Sequence, residues 1–123
     1  MATLADRVYD NGLTVLDTEA NRVDICSAEP STYTAATSTN TLGNTTSITI
    51  SAPADGDTSG RKVTLSAISG ASVTATGTAT HFAITDTINS RLLATGSLSS
   101  SQAVTSGNTF SLTAVDIEIP DPA

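Results

Sequence analysis

Tryptophan is absent from the 123-residue chain, and only Tyr9, Tyr33, Phe82 and Phe110 are aromatic. A core must therefore be assembled mainly from Val, Ile, Leu and Ala, thin enough that burial against a partner gains weight. Cysteine occurs once, as Cys26, which excludes an intramolecular disulfide and fits synthesis in a reducing compartment. Its expected role is that of a small buried hydrophobe. Histidine also occurs once, so no histidine cluster exists for a metal, and a Ser–His–acid triad would have to draw on His81 alone. Cations are scarce: five Lys and Arg face twelve Asp and Glu, and the net charge of −7 opposes attraction to phosphate backbones or anionic lipid. No nucleic-acid partner is expected. No stretch approaches the roughly 18 apolar residues of a membrane span, and the N-terminus lacks a basic region followed by an apolar run. Neither membrane insertion nor Sec export is expected.

What the chain has in quantity is Ser and Thr, interleaved with Val and Ile, a composition that suits half-buried pleated surfaces better than helices. Its length suits one domain, residues 1–123. Thr3 followed by Asp6 resembles a capping box, and Leu4, Val8, Leu13 and Leu16 recur on a spacing compatible with one helical face, which predicts a helix over residues 4–18 within a helical N-terminal segment 1–20. Asn11-Gly12 is the place where that helix could break.

Residues 21–120 read as strands and turns. Residues 22–27 alternate, with Val23 and Ile25 on one face and Asp24 and Cys26 on the other, as in a half-buried strand. Residues 31–44, with Tyr33 and Leu42 as their only large apolar anchors, read as an extended surface excursion. A strand is expected over residues 47–52, stopped by Pro53. Residues 61–67 and 72–78 predict a hairpin through Ser69-Gly70-Ala71, and His81 to Ile84 with residues 91–95 predict a second, turning at residues 86–90. Residues 96–101 read as a flexible connection. A third hairpin is expected from residues 102–105 and 109–113 around Ser106-Gly107-Asn108. After it the apolar phase slips by one between Ala114 and Val115, the footprint of a β-bulge or of a strand that changes sheets. Phe82, Ile84, Leu92, Phe110 and Leu112 are the expected core. About seven or eight short strands after one helix predict a mainly β fold, an antiparallel β-sandwich or jelly-roll-like module.

Catalytic and metal signatures are weak. Asp55-x-Asp57-x-Ser59-Gly60 resembles the first half of a calcium loop, but position twelve of such a loop is Ser66 instead of a bidentate Glu. A solvated polar loop is the expectation, with no metal and no cofactor. Asp116 and Glu118 share one strand face and resemble glycosidase equipment only in residue type. No serine sits in a Gly-x-Ser-x-Gly elbow, and the glycines are spaced unlike a P-loop or a dinucleotide fingerprint. No catalytic residue is assigned and no enzyme is expected.

Several phrases resemble segments of small virion proteins of tailed bacteriophages. They are Arg22-Val23-Asp24-Ile25-Cys26-Ser27-Ala28-Glu29-Pro30, Ser51-Ala52-Pro53-Ala54-Asp55-Gly56-Asp57 with Gly60-Arg61-Lys62, and Gly77-Thr78-Ala79-Thr80-His81. Leu93-Ala94-Thr95-Gly96, Gln102-Ala103-Val104-Thr105-Ser106-Gly107-Asn108 and Asp116-Ile117-Glu118-Ile119-Pro120 belong with them. The resemblance spans residues 4–120 as a pattern of turns and short phrases. It implies a non-enzymatic structural protein, a cement or decoration protein on the capsid exterior, made in the host cytoplasm and docked on the major capsid protein. Symmetry of shell sites makes a trimer or another small homo-oligomer the expected assembly. Leu4, Val8 and Tyr9 of the N-terminal segment, with Tyr33 and Leu42 of the 31–44 excursion, are the candidate partner contacts. The alternative is a tail-fibre or receptor-binding module, in which Tyr33 and loop Asn and Asp side chains meet a cell-surface glycan; the paucity of aromatic platforms weighs against it.

Overall fold

The computed structural model describes residues 4–121. The chain is mainly β and antiparallel, with a single N-terminal α-helix, consistent with a β-sandwich-like module. Its elements are α1 (Asp6–Glu19), β1 (Arg22–Cys26), a π-helical turn (Ala35–Thr39), β2 (Thr41–Thr45), β3 (Ala54–Asp55), β4 (Arg61–Leu65), β5 (Ile68–Val73), β6 (Gly77–Asp86), β7 (Arg91–Val104), β8 (Thr109–Leu112) and β9 (Val115–Ile119). They fall into two compact units. One holds α1, β3, β4 and β9, and the other holds the remaining six strands with the π-helical turn.

In the first unit the strands form a sheet of order β3-β4-β9. The period of two puts Arg61, Val63 and Leu65 of β4 opposite Ile119, Ile117 and Val115 of β9 on one face, and Lys62 and Thr64 opposite Glu118 and Asp116 on the other. Val63 and Leu65 are fully buried, and α1 packs against β4 through Tyr9, Leu13 and Leu16. The helix runs through Asn11-Gly12 without a break, because burial of the flanking face outweighs the roughly 1 kcal/mol that glycine costs there. Its inward face differs from the expected one. Tyr9 replaces Val8, donating its hydroxyl to Asp121 Oδ1 at 2.8 Å, while Leu4 and Val8 stay exposed. Thr3, the expected cap, lies outside the described residues. The strand expected over residues 47–52 shrinks to one bridge, Ile50 to Leu65, and pairing resumes only at Ala54, since Pro53 between them has no N–H to give.

The second unit is one sheet of order β7-β6-β1-β2-β5-β8. A flat sheet would hold its outer strands five spacings apart, about 24 Å. The turn from Val104 of β7 to Thr109 of β8 covers five Cα steps, at most about 18 Å. The sheet therefore curls until its two edge strands can be joined by a short turn. That turn is fixed to the end of β5: Val73 N–H donates to Asn108 O at 2.9 Å, and Gly107 N–H to Val73 O at 3.1 Å.

On one face of this sheet Val23 lies opposite Ile84 and Ile25 opposite Phe82, all buried, with Val73, Phe110 and Leu112 also buried. The other face of β1 is buried too, contrary to the half-buried expectation. Residues 31–44 are not a surface excursion: the π-helical turn lays Ala36 against Cys26 and Ala83, with Leu92 packed on this cluster, and the segment then enters the sheet as β2. Thr32 starts the turn by accepting the Ala35 N–H on its hydroxyl at 3.0 Å.

Two expected hairpins are absent. β4 and β5 belong to different sheets, and Gly70, with φ of +69°, is a bulge inside β5 where the register to β8 shifts, a backbone setting glycine adopts at no steric cost. β7 and β8, joined by a turn, pair with β6 and β5 instead of each other. The second hairpin does form, as β6 and β7. β7 also absorbs residues 96–101, because Gly96 lies opposite Phe82, whose ring fills the place of a Cβ: one built there would sit 2.6 Å from it. The phase slip at Ala114-Val115 marks a strand that changes sheets, β8 lying in one and β9 in the other.

Asp24 is fully buried on β1 and carries a bidentate pair from Arg22, Nε to Oδ1 and Nη2 to Oδ2 at 2.8 Å each, plus the Thr41 hydroxyl at 2.7 Å. Removing the cation strands a desolvated carboxylate, so Arg22→Ala is expected to cost about 3–5 kcal/mol in urea-induced unfolding. Replacing the pair together, as Arg22→Met with Asp24→Leu, is expected to cost clearly less.

Candidate functional site

The charged surface of the first unit is built by adjacent cations on β4 that point to opposite faces. Arg61 turns toward α1, where its Nε and Nη2 donate to Asp10 at 2.8 and 3.2 Å and its Nη1 to Asp55 at 2.7 Å. Lys62 turns the other way, its Nζ 2.6 Å from Asp57 Oδ1 and 3.1 Å from Asp116 Oδ2. Asp57, Asp116 and Glu118 bring one carboxylate oxygen each to within 4.8 Å of one another. Half of the calcium-like loop, Asp57, thus joins β9 carboxylates that the linear motif did not contain, while Asp55 is drawn away to Arg61. The Lys62 ammonium already pairs with two of these carboxylates, Asp57 and Asp116. Asp116 is held below the usual carboxylate range, first by the Thr64 hydroxyl, which donates to its Oδ1 at 2.7 Å, then by Lys62. The arrangement is an ion network at the surface in which one lysine bridges two of three clustered carboxylates.

In the second unit, pairing of β6 with β7 brings the single histidine beside a serine, and the segment after β1 adds an acid. His81 Nε2 stands 3.4 Å from Ser97 Oγ and 3.7 Å from Glu29 Oε2, and its Nδ1 meets Thr80 Oγ1 at 2.9 Å. A nucleophilic triad needs serine and acid on opposite ring nitrogens. Here both crowd Nε2, so the set has triad composition without triad geometry. Cys26 is fully buried, and burial pushes its thiol up to about 12, far from the thiolate that reactivity requires.

Next to His81 along the β6–β7 hairpin, an open groove of about 350 Å³ is lined by Pro30, Ser31, Leu92, Leu93, Ala94 and Thr95. Its β7 wall is irregular, since the β6–β7 register shifts between Ile84 and Thr85 and leaves Leu93 out of the pairing. Leu92, Leu93 and Ala94 give it an apolar floor, with Ser31 and Thr95 as polar lining.

The five expected contact residues scatter. Tyr9 and Leu42 are core residues, 2% and 7% exposed, so both expectations are corrected: Tyr9 lies on the buried face of α1 and bonds Asp121, and Leu42 is the second residue of β2. Leu4 and Val8 are exposed, and Tyr33 is half-buried just beyond the groove residue Ser31. Sequence reading missed Val15 and Ile119, which are exposed as well, and the groove along residues 92–95, of which it expected only Leu92 in the core, where Leu92 does pack on the Cys26, Ala36 and Ala83 cluster. A second, exposed 3–4 periodicity in α1 was the available signal for Val15; nothing local marks the groove.

By fold and surface this is a mainly β chain with an open apolar groove and, among the described residues, no assembled catalytic constellation. No family model, curated protein or solved structure matches it.

Two measurements check this chemistry. Thr64→Val and Lys62→Met are each expected to raise the Asp116 carboxyl, seen as a change in its NMR titration midpoint. A carboxyl depressed by the fold stabilises it above its ordinary value and loses that contribution as pH falls through the folded one, so both variants should also flatten the acid side of the thermal-stability profile. Cys26 in the native protein should react with a thiol reagent only at the rate of opening, and within seconds once urea unfolds the chain.

Proposed function

We propose that this protein is a non-enzymatic structural component of a tailed-bacteriophage virion, a cement or decoration protein bound to the major capsid protein on the outside of the head. The observation that carries the reading is the contrast between the polar and apolar surfaces. The clustered charges are spent on one another, as in Arg61 with Asp10 and Asp55 or Lys62 with Asp57 and Asp116, whereas the groove by Leu93 and several large apolar side chains are open. Such a surface suits docking more than turnover. The phage-like phrases along residues 22–120 support the same reading.

In this role the second unit's groove, with Tyr33 beside it, receives an extended segment of a capsid subunit. Binding the assembled shell in preference to free subunits stabilises the shell by linkage, about 2.7 kcal/mol per site when free protein stands at a hundred times its dissociation constant. The acidic surface keeps the protein off the packaged nucleic acid.

Copy number per virion tests the location: hundreds of copies are expected for a shell protein, and a handful would instead place it in a fibre. Added to empty capsids, the protein should raise their melting temperature. Leu93→Asp should weaken capsid binding at least about tenfold, the effect of about 1.4 kcal/mol, with its own circular dichroism unchanged. Capsids indifferent to the protein would sink the proposal.

A further inference from the structure

The charge of this chain is divided unevenly between its two units. The first holds nine of the twelve acidic residues and three of the five basic ones, a net of −6. The second holds three acidic and two basic residues, a net of −1 with His81 neutral. Folding then hides most of the charge that the second unit has. Asp24 is buried on Arg22, and Asp86 is buried under its own turn, where it accepts the Ile88 and Asn89 N–H groups at 2.9 and 3.3 Å. Glu29 and Arg91 are the unit's only exposed Asp, Glu, Lys or Arg residues. From Leu92 to Leu112, through β7, the turn after it and β8, no charged residue occurs. This uncharged run begins at the groove, which residues 92–95 line, and continues along β7 into the exposed Ser99, Ser100 and Ser101.

We propose that the second unit is the docking body of the protein, with a footprint that runs from the groove along β7 to Ser101, and that the surface it fits is an uncharged patch of the capsid subunit. The inference rests on the docking reading for the identity of the partner, and adds the footprint and the chemistry of the patch. The centre of a protein interface is depleted of charge, because an ion taken out of water without a counter-charge is costly. Along β7 between Leu92 and Ser101 there is no carboxylate to pair with a buried Lys or Arg, so a basic patch would lose its water there and gain nothing in return. A basic patch would select the first unit instead, where Asp6, Asp17 and Asp121 are exposed. Side-chain freedom points the same way. The same ten residues include no Lys, Arg, Glu, Gln or Met, the side chains that lose most entropy on burial. An uncharged patch meets Leu92 and Leu93 in the groove and short serine side chains beyond it, and neither side strands an ion.

Co-sedimentation of the full chain with empty capsids, in sodium chloride from about 0.1 to 1 M, tests it. Over that range the screening length falls from about 10 to 3 Å, so contacts between charges weaken and contacts without charge do not. Affinity should change by no more than about twofold. Asp6→Asn with Asp17→Lys, both exposed on the first unit, should bind like wild type. Ser99→Asp with Ser101→Asp should bind at least about tenfold more weakly, with unchanged circular dichroism, since both positions face solvent in the free chain. Affinity that falls tenfold or more with salt, or that changes as much in the Asp6 and Asp17 variant, assigns the contact to the acidic unit; it overturns the inference and leaves the docking reading standing. Wild-type binding by the two-serine variant overturns it as well. If that variant fails to fold, the salt series decides. Capsids that bind no protein at any salt concentration sink the docking reading and the inference together.

Discussion

The second unit depends on a buried carboxylate. Asp24 stands on β1, with β6 on one side and β2 on the other, and it loses all contact with water. A desolvated charge is tolerable only if it is paired and its remaining lone pairs are satisfied. Arg22 on the same strand supplies a two-pronged partner, and Thr41, at the start of β2, supplies the third bond. The requirement explains the route of the chain between β1 and β2. Residues 31–44 must return over the sheet so that Thr41 reaches Asp24, and on the way Ala36 covers Cys26 and Ala83. Aromatic bulk is scarce here, and close packing of small residues over this face does part of the work that a tryptophan would do elsewhere.

The first unit solves a different problem with the same economy. A three-stranded sheet cannot bury both faces with one helix, so one face carries Val63 and Leu65 under α1 and the other carries Lys62, Thr64, Asp116 and Glu118 in water. Alternation on β4 and β9 sorts the adjacent Arg61 and Lys62 onto these two faces, and each then collects the carboxylates within reach. The acidic cluster that results looks like half of a cation site, and the lysine already pairs with two of its three carboxylates.

These arrangements bear on function by showing where chemistry is spent. Cys26 is sealed beneath Ala36, His81 has its serine and its acid on the same nitrogen, and Asp57 and Asp116 are tied to Lys62. What remains open is apolar surface: the groove beside Leu93 on one unit, and Val8 and Val15 of α1 on the other.

Much was legible in the sequence because it rested on local periodicity. The helix, β1, β4, the β6–β7 hairpin, the core role of Phe82, Ile84, Phe110 and Leu112, and the change of sheet at Ala114-Val115 all follow from side chains that must alternate or recur to stay dry. Strand pairing did not follow, since residues close in sequence are the default neighbours in a hairpin reading. Here the curl of the sheet sends β5 to β2 and β8, and leaves β7 and β8 joined by a turn but unpaired. Nor could the sequence separate the two apolar stripes of α1: Val8 and Tyr9 are both credible inward residues. Only the placement of Asp121 and β4 under the helix turned Tyr9 in and left Val8 facing water.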